Sequence, residues 1–129
     1  MYKYREILDP ILISILPHFI TLYYTLDNLY YSSIIILSSC SSIVWHYDFE
    51  NNYNYYLIDY FFALLLTSYE ILYTNEVMTV LNCNILIFFI NKLTDMLSYY
   101  KILNYTLGHT FFHISHSLKT IFIASKFKN

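Results

Sequence analysis

Between Ile102 and Ile123 the chain is as apolar as a membrane span, yet it reads Gly108-His109-Thr110-Phe111-Phe112-His113-Ile114-Ser115-His116, and these three imidazoles are where chemistry is to be sought first. At about 100° per residue, positions i, i+4 and i+7 fall on one helical stripe, so His109, His113 and His116 share a face. His109 and His113 stand one turn apart, roughly 6 Å along the axis, which suits two ligands of one tetrahedral zinc. His116 is roughly 10 Å from His109 and is expected to be a neighbour rather than a third ligand. A metal held by this pair needs a further protein ligand from elsewhere in the chain.

A second apolar segment offers one. It ends Ser41-Ser42-Ile43-Val44-Trp45-His46, with Ser42 and His46 one turn apart, and the next segment opens Tyr55-Tyr56-Leu57-Ile58-Asp59-Tyr60. Asp59 therefore enters the apolar region on the side where His46 leaves it, and two further crossings return the chain to that side at His109. Parity brings Ser42, His46, Asp59, His109 and His113 to one depth, where polar residues are expensive and so are functional candidates by default. The set reads as a catalytic zinc site, with His46, His109 and His113 as neutral imidazole ligands and a fourth position open to water. Zinc lowers the pKa of such a water to about 7, and Asp59 is expected to accept its proton. Ser42 either donates to the oxyanion of an attacked carbonyl or orients the water, and the residues leave both roles open. Plainer readings stand beside these: Asp59 as an acid at a helix N-terminus, and Ser42 as one of several serines bonded within their own helix.

The elements that must position these residues follow from composition. Of the 129 residues 57% are hydrophobic and only 12% charged, with one Gly and two Pro, which is not the balance of a soluble domain. The charges divide the chain into apolar segments of about residues 10 to 26, 29 to 47, 55 to 74, 77 to 91 and 102 to 124. Each is near the roughly 20 residues that a span needs, the fourth being short and expected to extend past Lys92. The runs are too long and too uniformly apolar for barrel strands. The expectation is an all-α, multi-pass transmembrane bundle of about five helices, forming a single integral membrane domain over residues 1 to 129. Asp27-Asn28, the acidic Tyr47 to Asn54 stretch, Asn75-Glu76 and Lys92 to Lys101 are the expected connections, and Pro17 is expected to kink or break the first segment.

Further expectations attach to single residues. His18 and His116 are assigned packing and hydrogen bonding inside the bundle. Glu70 lies three turns beyond Asp59 and level with Lys119 on the last span, so the two are expected to form a structural ion pair. Gly108 is expected to allow close helix approach. Cys40 and Cys83 lie in apolar stretches and are expected to be buried thiols rather than a disulfide. The N-terminal segment, interrupted by Glu6 and Asp9, is read as an uncleaved span and not a secretory signal. A cytoplasmic N-terminus would put Lys3, Arg5, Lys92 and Lys101 inside and Lys126 and Lys128 outside, a bias too small to fix orientation. Seven scattered basic residues make no basic patch, which excludes an electrostatic nucleic-acid interface.

Taken in order, Ser42-xxx-His46, Leu57-Ile58-Asp59-Tyr60 and His109-xxx-His113 resemble the signature of a superfamily of membrane hydrolases that groups alkaline ceramidases, progestin and adipoQ receptors, and Per1-like proteins. The resemblance covers residues 38 to 116. It implies a zinc-dependent lipid amidase fold, with His46, His109 and His113 at the metal-ligand positions and Ser42 and Asp59 at two further active-site positions. The chain departs from those families in length: they typically have seven helices, and the stretch from Asp59 to His109 has room for one intervening span where they have three. Glu6 and Asp9 have no Trp nearby, so the calcium site of alkaline ceramidases is not carried over. The leading expectation is hydrolysis of an amide bond in a membrane lipid, ceramide or a relative, drawn from the bilayer. The rivals are a non-enzymatic relative acting as a receptor or structural partner, and a small membrane protein with a histidine-lined ion path.

Overall fold

The computed structural model describes residues 4–126, and among these it is all helical. The first segment begins at α1 (Pro10–Ile15), whose N-cap Asp9 accepts a hydrogen bond from the Ile11 amide at 2.9 Å, with Pro10 in the first turn where its missing N–H costs nothing. Pro17 then denies the α-helical ladder a donor. The chain tightens into a 3-10 helix over Leu16–Thr21 and resumes as α2 (Leu22–Thr25), giving one broken rod.

Three asparagines start the next helices. Asn28 caps α3 (Leu29–Tyr47) by accepting from the Tyr31 amide, and Asn52 caps α4 (Tyr53–Tyr73) by accepting from the Asn54 amide, each at 3.0 Å. After α5 (Val77–Tyr99), Asn104 receives the amides of Thr106 and Leu107 at the head of α6 (Tyr105–Lys126). The expected fourth connection is corrected here. Lys92 to Lys101 is not a loop, because α5 continues to Tyr99 through a polar turn in which Lys92 pairs with Asp95 at 3.8 Å. The chain turns only at Tyr100–Asn104, with Lys101 at φ 59°.

The rods close a ring: α4 packs on α3, α3 on the broken first rod, that rod on α6, α6 on α5, and α5 back on α4. Arg5, the Asp48–Asn52 turn and Lys101 lie at one end, and Asn28, Thr74 and Lys126 at the other. The expected placements of Lys3 and Lys128 fall outside the described residues. At the far end Tyr31, Ile35, Leu66 and Ala124 form an apolar plug. Just inside it lies the expected ion pair, with Lys119 Nζ donating to Glu70 Oε2 and, at 3.1 Å, to Asn84 Oδ1, while the Tyr31 hydroxyl approaches Glu70 Oε1 at 3.5 Å. Both charged side chains are buried, so this network joins α3, α4, α5 and α6 across the ring.

The interior mixes polar side chains with apolar ones such as Ile11, Ile15, Ile35, Leu66 and Val80, while many large apolar side chains are exposed. The interior holds Ser14, Thr25, Ser38, Ser39, Ser117 and Thr120, whereas Leu57, Phe61, Ile85, Phe88, Phe89, Phe111 and Leu118 face outward. Two helices, α4 and α5, are long and apolar enough to cross a membrane. The expectation of two buried thiols fails. Cys40 is exposed on α3 and Cys83 half-buried, because in such a bundle an apolar neighbourhood in sequence marks the outer surface as readily as the core. Both are free thiols, with no disulfide between them.

Candidate metal centre

At the end of the ring opposite the plug, all five histidines line one cavity of about 410 Å³. His46 arrives on the last turn of α3, and His109 and His113 on the first turns of α6. Gly108 makes the second placement possible. A Cβ there would stand 2.9 Å from Leu103 Cδ2 and 3.3 Å from Thr94 Cβ, so the missing side chain lets α6 close on α5 immediately before His109.

The three imidazoles meet through their Nε2 atoms. His46 Nε2 lies 3.1 Å from His113 Nε2 and 3.3 Å from His109 Nε2, and the three ligand atoms all fall within 4.8 Å of one another. Hydrogen bonds alone satisfy this arrangement poorly. His46 Nδ1 is committed to Glu50 Oε1 at 2.8 Å, so the neutral ring carries its proton there and offers a single lone pair at Nε2 to two neighbours. One cation among the three nitrogens meets all three lone pairs. The cluster of His46, His109 and His113 can therefore hold a metal ion, and His116 is not part of it. Instead His116 Nδ1 bonds His18 Nε2 at 3.0 Å, the packed and hydrogen-bonded role expected of both.

Asp59 lines the same cavity from α4, half-buried. It does not cap that helix, which starts six residues earlier behind Asn52, so the capping alternative lapses. Ser42 is buried and lines the cavity too, while the neighbouring Ser41 hydroxyl shares its one proton between the Ser38 carbonyl at 2.9 Å and Asp59 Oδ1 at 3.3 Å. The Ser42 hydroxyl also interacts with that carboxylate. Trp45, Tyr56 and Tyr60 form an aromatic wall, with Trp45 and Tyr56 ring centroids 5.5 Å apart.

Sequence reasoning missed Glu50. It accepts from His46 Nδ1 and, at 2.7 Å, from the Tyr105 hydroxyl, while Arg5 reaches Oε1 at 3.3 Å. Partial burial pushes its carboxyl up, but the bonds from His46 and Tyr105 outweigh that and hold it down at about 2. Its position four residues after His46 is not a helical-face signal, because α3 ends at Tyr47. The turn that makes the contact follows the helix end, with Phe49 and Glu50 both left-handed at φ 51° and 62° and the Glu50 amide donating to the Trp45 carbonyl at 3.2 Å.

Comparison with protein-family models, with curated proteins and with solved structures finds no match.

Proposed function

We propose that this chain is a multi-pass membrane protein and a zinc-dependent hydrolase that cleaves an amide bond in a lipid of the ceramide class. The observation that carries the reading is the convergence of three imidazole Nε2 atoms, 3.1 and 3.3 Å from the shared His46, beside a carboxylate in a cavity. Tetrahedral zinc with Zn–N bonds of about 2.0–2.1 Å needs ligand nitrogens about 3.3–3.4 Å apart; the two pairs that share His46 stand near that spacing, and all three nitrogens lie within 4.8 Å of one another. Three histidines with no thiolate also match a zinc site of the kind that keeps a position open for chemistry. The membrane reading rests on the many exposed large apolar side chains and on the polar and charged ones buried among the apolar core. In water that distribution would expose Phe61, Phe88 and Leu118 and bury an ion pair; in a bilayer it is the expected arrangement.

Bound zinc supplies Lewis acidity toward a carbonyl and a water acidic enough to ionise near neutrality. The chain's own groups supply the rest. Asp59 presents a carboxylate that takes and returns a proton inside the cavity, with the Ser41 hydroxyl holding Oδ1. Trp45, Tyr56 and Tyr60 offer an apolar wall to the chain of a lipid. The resemblance of Ser42, His46, Asp59, His109 and His113 to the superfamily positions supports an amide as the bond cleaved. A structural role for the metal has one observation in its favour, that the ligands join α3 to α6.

Zinc content and lipid amidase activity, measured in parallel on the natural chain, His113→Ala and Asp59→Asn, test the proposal. His113→Ala is expected to lose both, and Asp59→Asn to keep zinc while losing activity by about 10²–10⁴-fold. Full activity in His113→Ala would remove the enzyme reading. A natural chain that binds zinc but cleaves no lipid amide would leave the structural role.

A further inference from the structure

Glu50 bonds two helices of the centre at once. Its Oε1 accepts from His46 Nδ1 at 2.8 Å, and its Oε2 accepts from the Tyr105 hydroxyl at 2.7 Å, so one carboxylate spans from the end of α3 to the first residue of α6. The Tyr105 ring in turn lies flat against the His109 imidazole, with centroids 5.1 Å apart and planes 24° from parallel. His109 needs that support. Its Nδ1 is buried and has no hydrogen-bond partner among the described residues, so the ring's orientation depends on packing against Tyr105 and Phe112. His113, by contrast, is only 6% exposed and is held by the helices around it.

We propose that Glu50 is the positioning residue of the metal centre, fixing His46 directly and His109 through Tyr105, and so setting how tightly the ion is held. The inference rests on the zinc reading given above and extends it from the ligands to what aims them. An imidazole that donates one N–H to a carboxylate is locked in the tautomer whose other nitrogen faces the ion, and it becomes a more basic ligand. The chain also arranges to hold the carboxylate itself. Arg5 brackets it, reaching Oε1 at 3.3 Å with one nitrogen while Nε donates to the His46 carbonyl at 2.8 Å. The guanidinium sits 4.9 Å above the Phe49 ring, and the two left-handed residues Phe49 and Glu50 fold the acid back beneath the imidazole.

A purely structural Glu50, serving only to anchor Arg5, would leave metal binding unchanged when replaced. The test is zinc affinity by chelator competition on the full chain in lipid nanodiscs, with the Co²⁺ absorption spectrum as a reporter of ligand geometry. The chains compared are the natural one, Glu50→Ala, Glu50→Gln, Tyr105→Phe and the Glu50→Ala/Tyr105→Phe double variant. Glu50→Ala is expected to weaken zinc by about 10–100-fold and to shift the Co²⁺ bands. Glu50→Gln, which keeps an acceptor for His46 Nδ1 without the charge, should lose less. Tyr105→Phe should lose affinity in the natural background and little in the Glu50→Ala background, because both act through one carboxylate. Unchanged affinity and spectrum in Glu50→Gln and Tyr105→Phe, with helix content preserved, would overturn the proposal even if Glu50→Ala failed to fold, and the zinc reading would stand. A natural chain that takes up no zinc would overturn both.

Discussion

Both Ser41 and Ser42 act on the Asp59 carboxylate, Ser41 by a hydrogen bond of 3.3 Å, so the two serines have to be tested side by side. The Ser41 Oγ sits between the Ser38 carbonyl and Asp59 Oδ1, so it ties the carboxylate to α3. Ser41→Ala is expected to leave zinc content unchanged and to lower amidase turnover by about 10-fold, the worth of roughly 1.5 kcal/mol, the low end for a hydrogen bond to a charged group because the proton is shared with the Ser38 carbonyl. Ser42→Ala, if that hydroxyl acts on the developing oxyanion, should cost about 10²–10³-fold. Steady-state turnover of the two variants on a ceramide substrate separates positioning from oxyanion stabilisation, and equal losses would assign neither serine the second role. The spacing rule found His109 and His113, and crossing parity found His46 and Asp59, because helical period and span count are both written in the order of residues. Neither rule reaches Glu50. Its contact with His46 depends on a turn that leaves the helix after Tyr47 through two left-handed residues, and neither Phe nor Glu advertises that conformation as glycine or asparagine would.

At the scale of elements, the site depends on how closely α6 approaches α5. Gly108 lies at the contact, and its neighbours differ in what they can yield: the end of the Leu103 side chain can rotate, whereas Thr94 Cβ is fixed to its helix. Gly108→Ala meets that crowding but gains about 1 kcal/mol of helix propensity, so a small net change in stability is expected. Gly108→Val adds two methyl groups beyond the Cβ that already crowds Leu103, Thr94 and Ser98, and is expected to destabilise the fold by about 1–3 kcal/mol. Because His109 is the next residue, zinc affinity should fall with it. Thermal unfolding and zinc competition on both variants check this, and a Val variant with native affinity would show that α6 holds His109 without the close approach. The sequence pointed to this glycine through its singularity, and Pro17 marked the break in the first rod for the same kind of reason. The length of α5 was less legible. The short apolar run pointed to an extension past Lys92 but did not say how far: Lys92 and Asp95, three residues apart on the helix, pair with each other, and the helix runs on to Tyr99 where a connection was expected.

For the whole molecule, the organising fact is an interior in which buried polar and charged side chains stand among the apolar ones, under a surface rich in large apolar residues. The pair of Glu70 and Lys119 was legible in advance because counting turns from the site put both at one depth, and a buried charge demands a partner. Lys119→Met is expected to destabilise the bundle by about 3–5 kcal/mol by leaving Glu70 uncompensated, and the Glu70→Gln/Lys119→Met double variant should recover much of that loss. Denaturation in mixed micelles would show it, and a double variant no better than the single one would mean the pair is not acting as a unit. The direction in which side chains face was harder to read, as Cys40 shows: an apolar stretch in a chain of this composition does not say which of its faces is outside. That error supplies a test of the membrane reading. Cys40 is exposed near the middle of α3, so in water it would react freely, whereas in a bilayer it would face hydrocarbon, where a thiolate does not form. In a Cys83→Ala background reconstituted into vesicles and opened at both faces, a charged maleimide is expected to leave Cys40 unmodified, and to label it fully once the chain is unfolded in detergent. Rapid labelling of the folded, vesicle-bound chain would place the outer face of α3 in water and remove the bilayer as the route by which substrate reaches the centre.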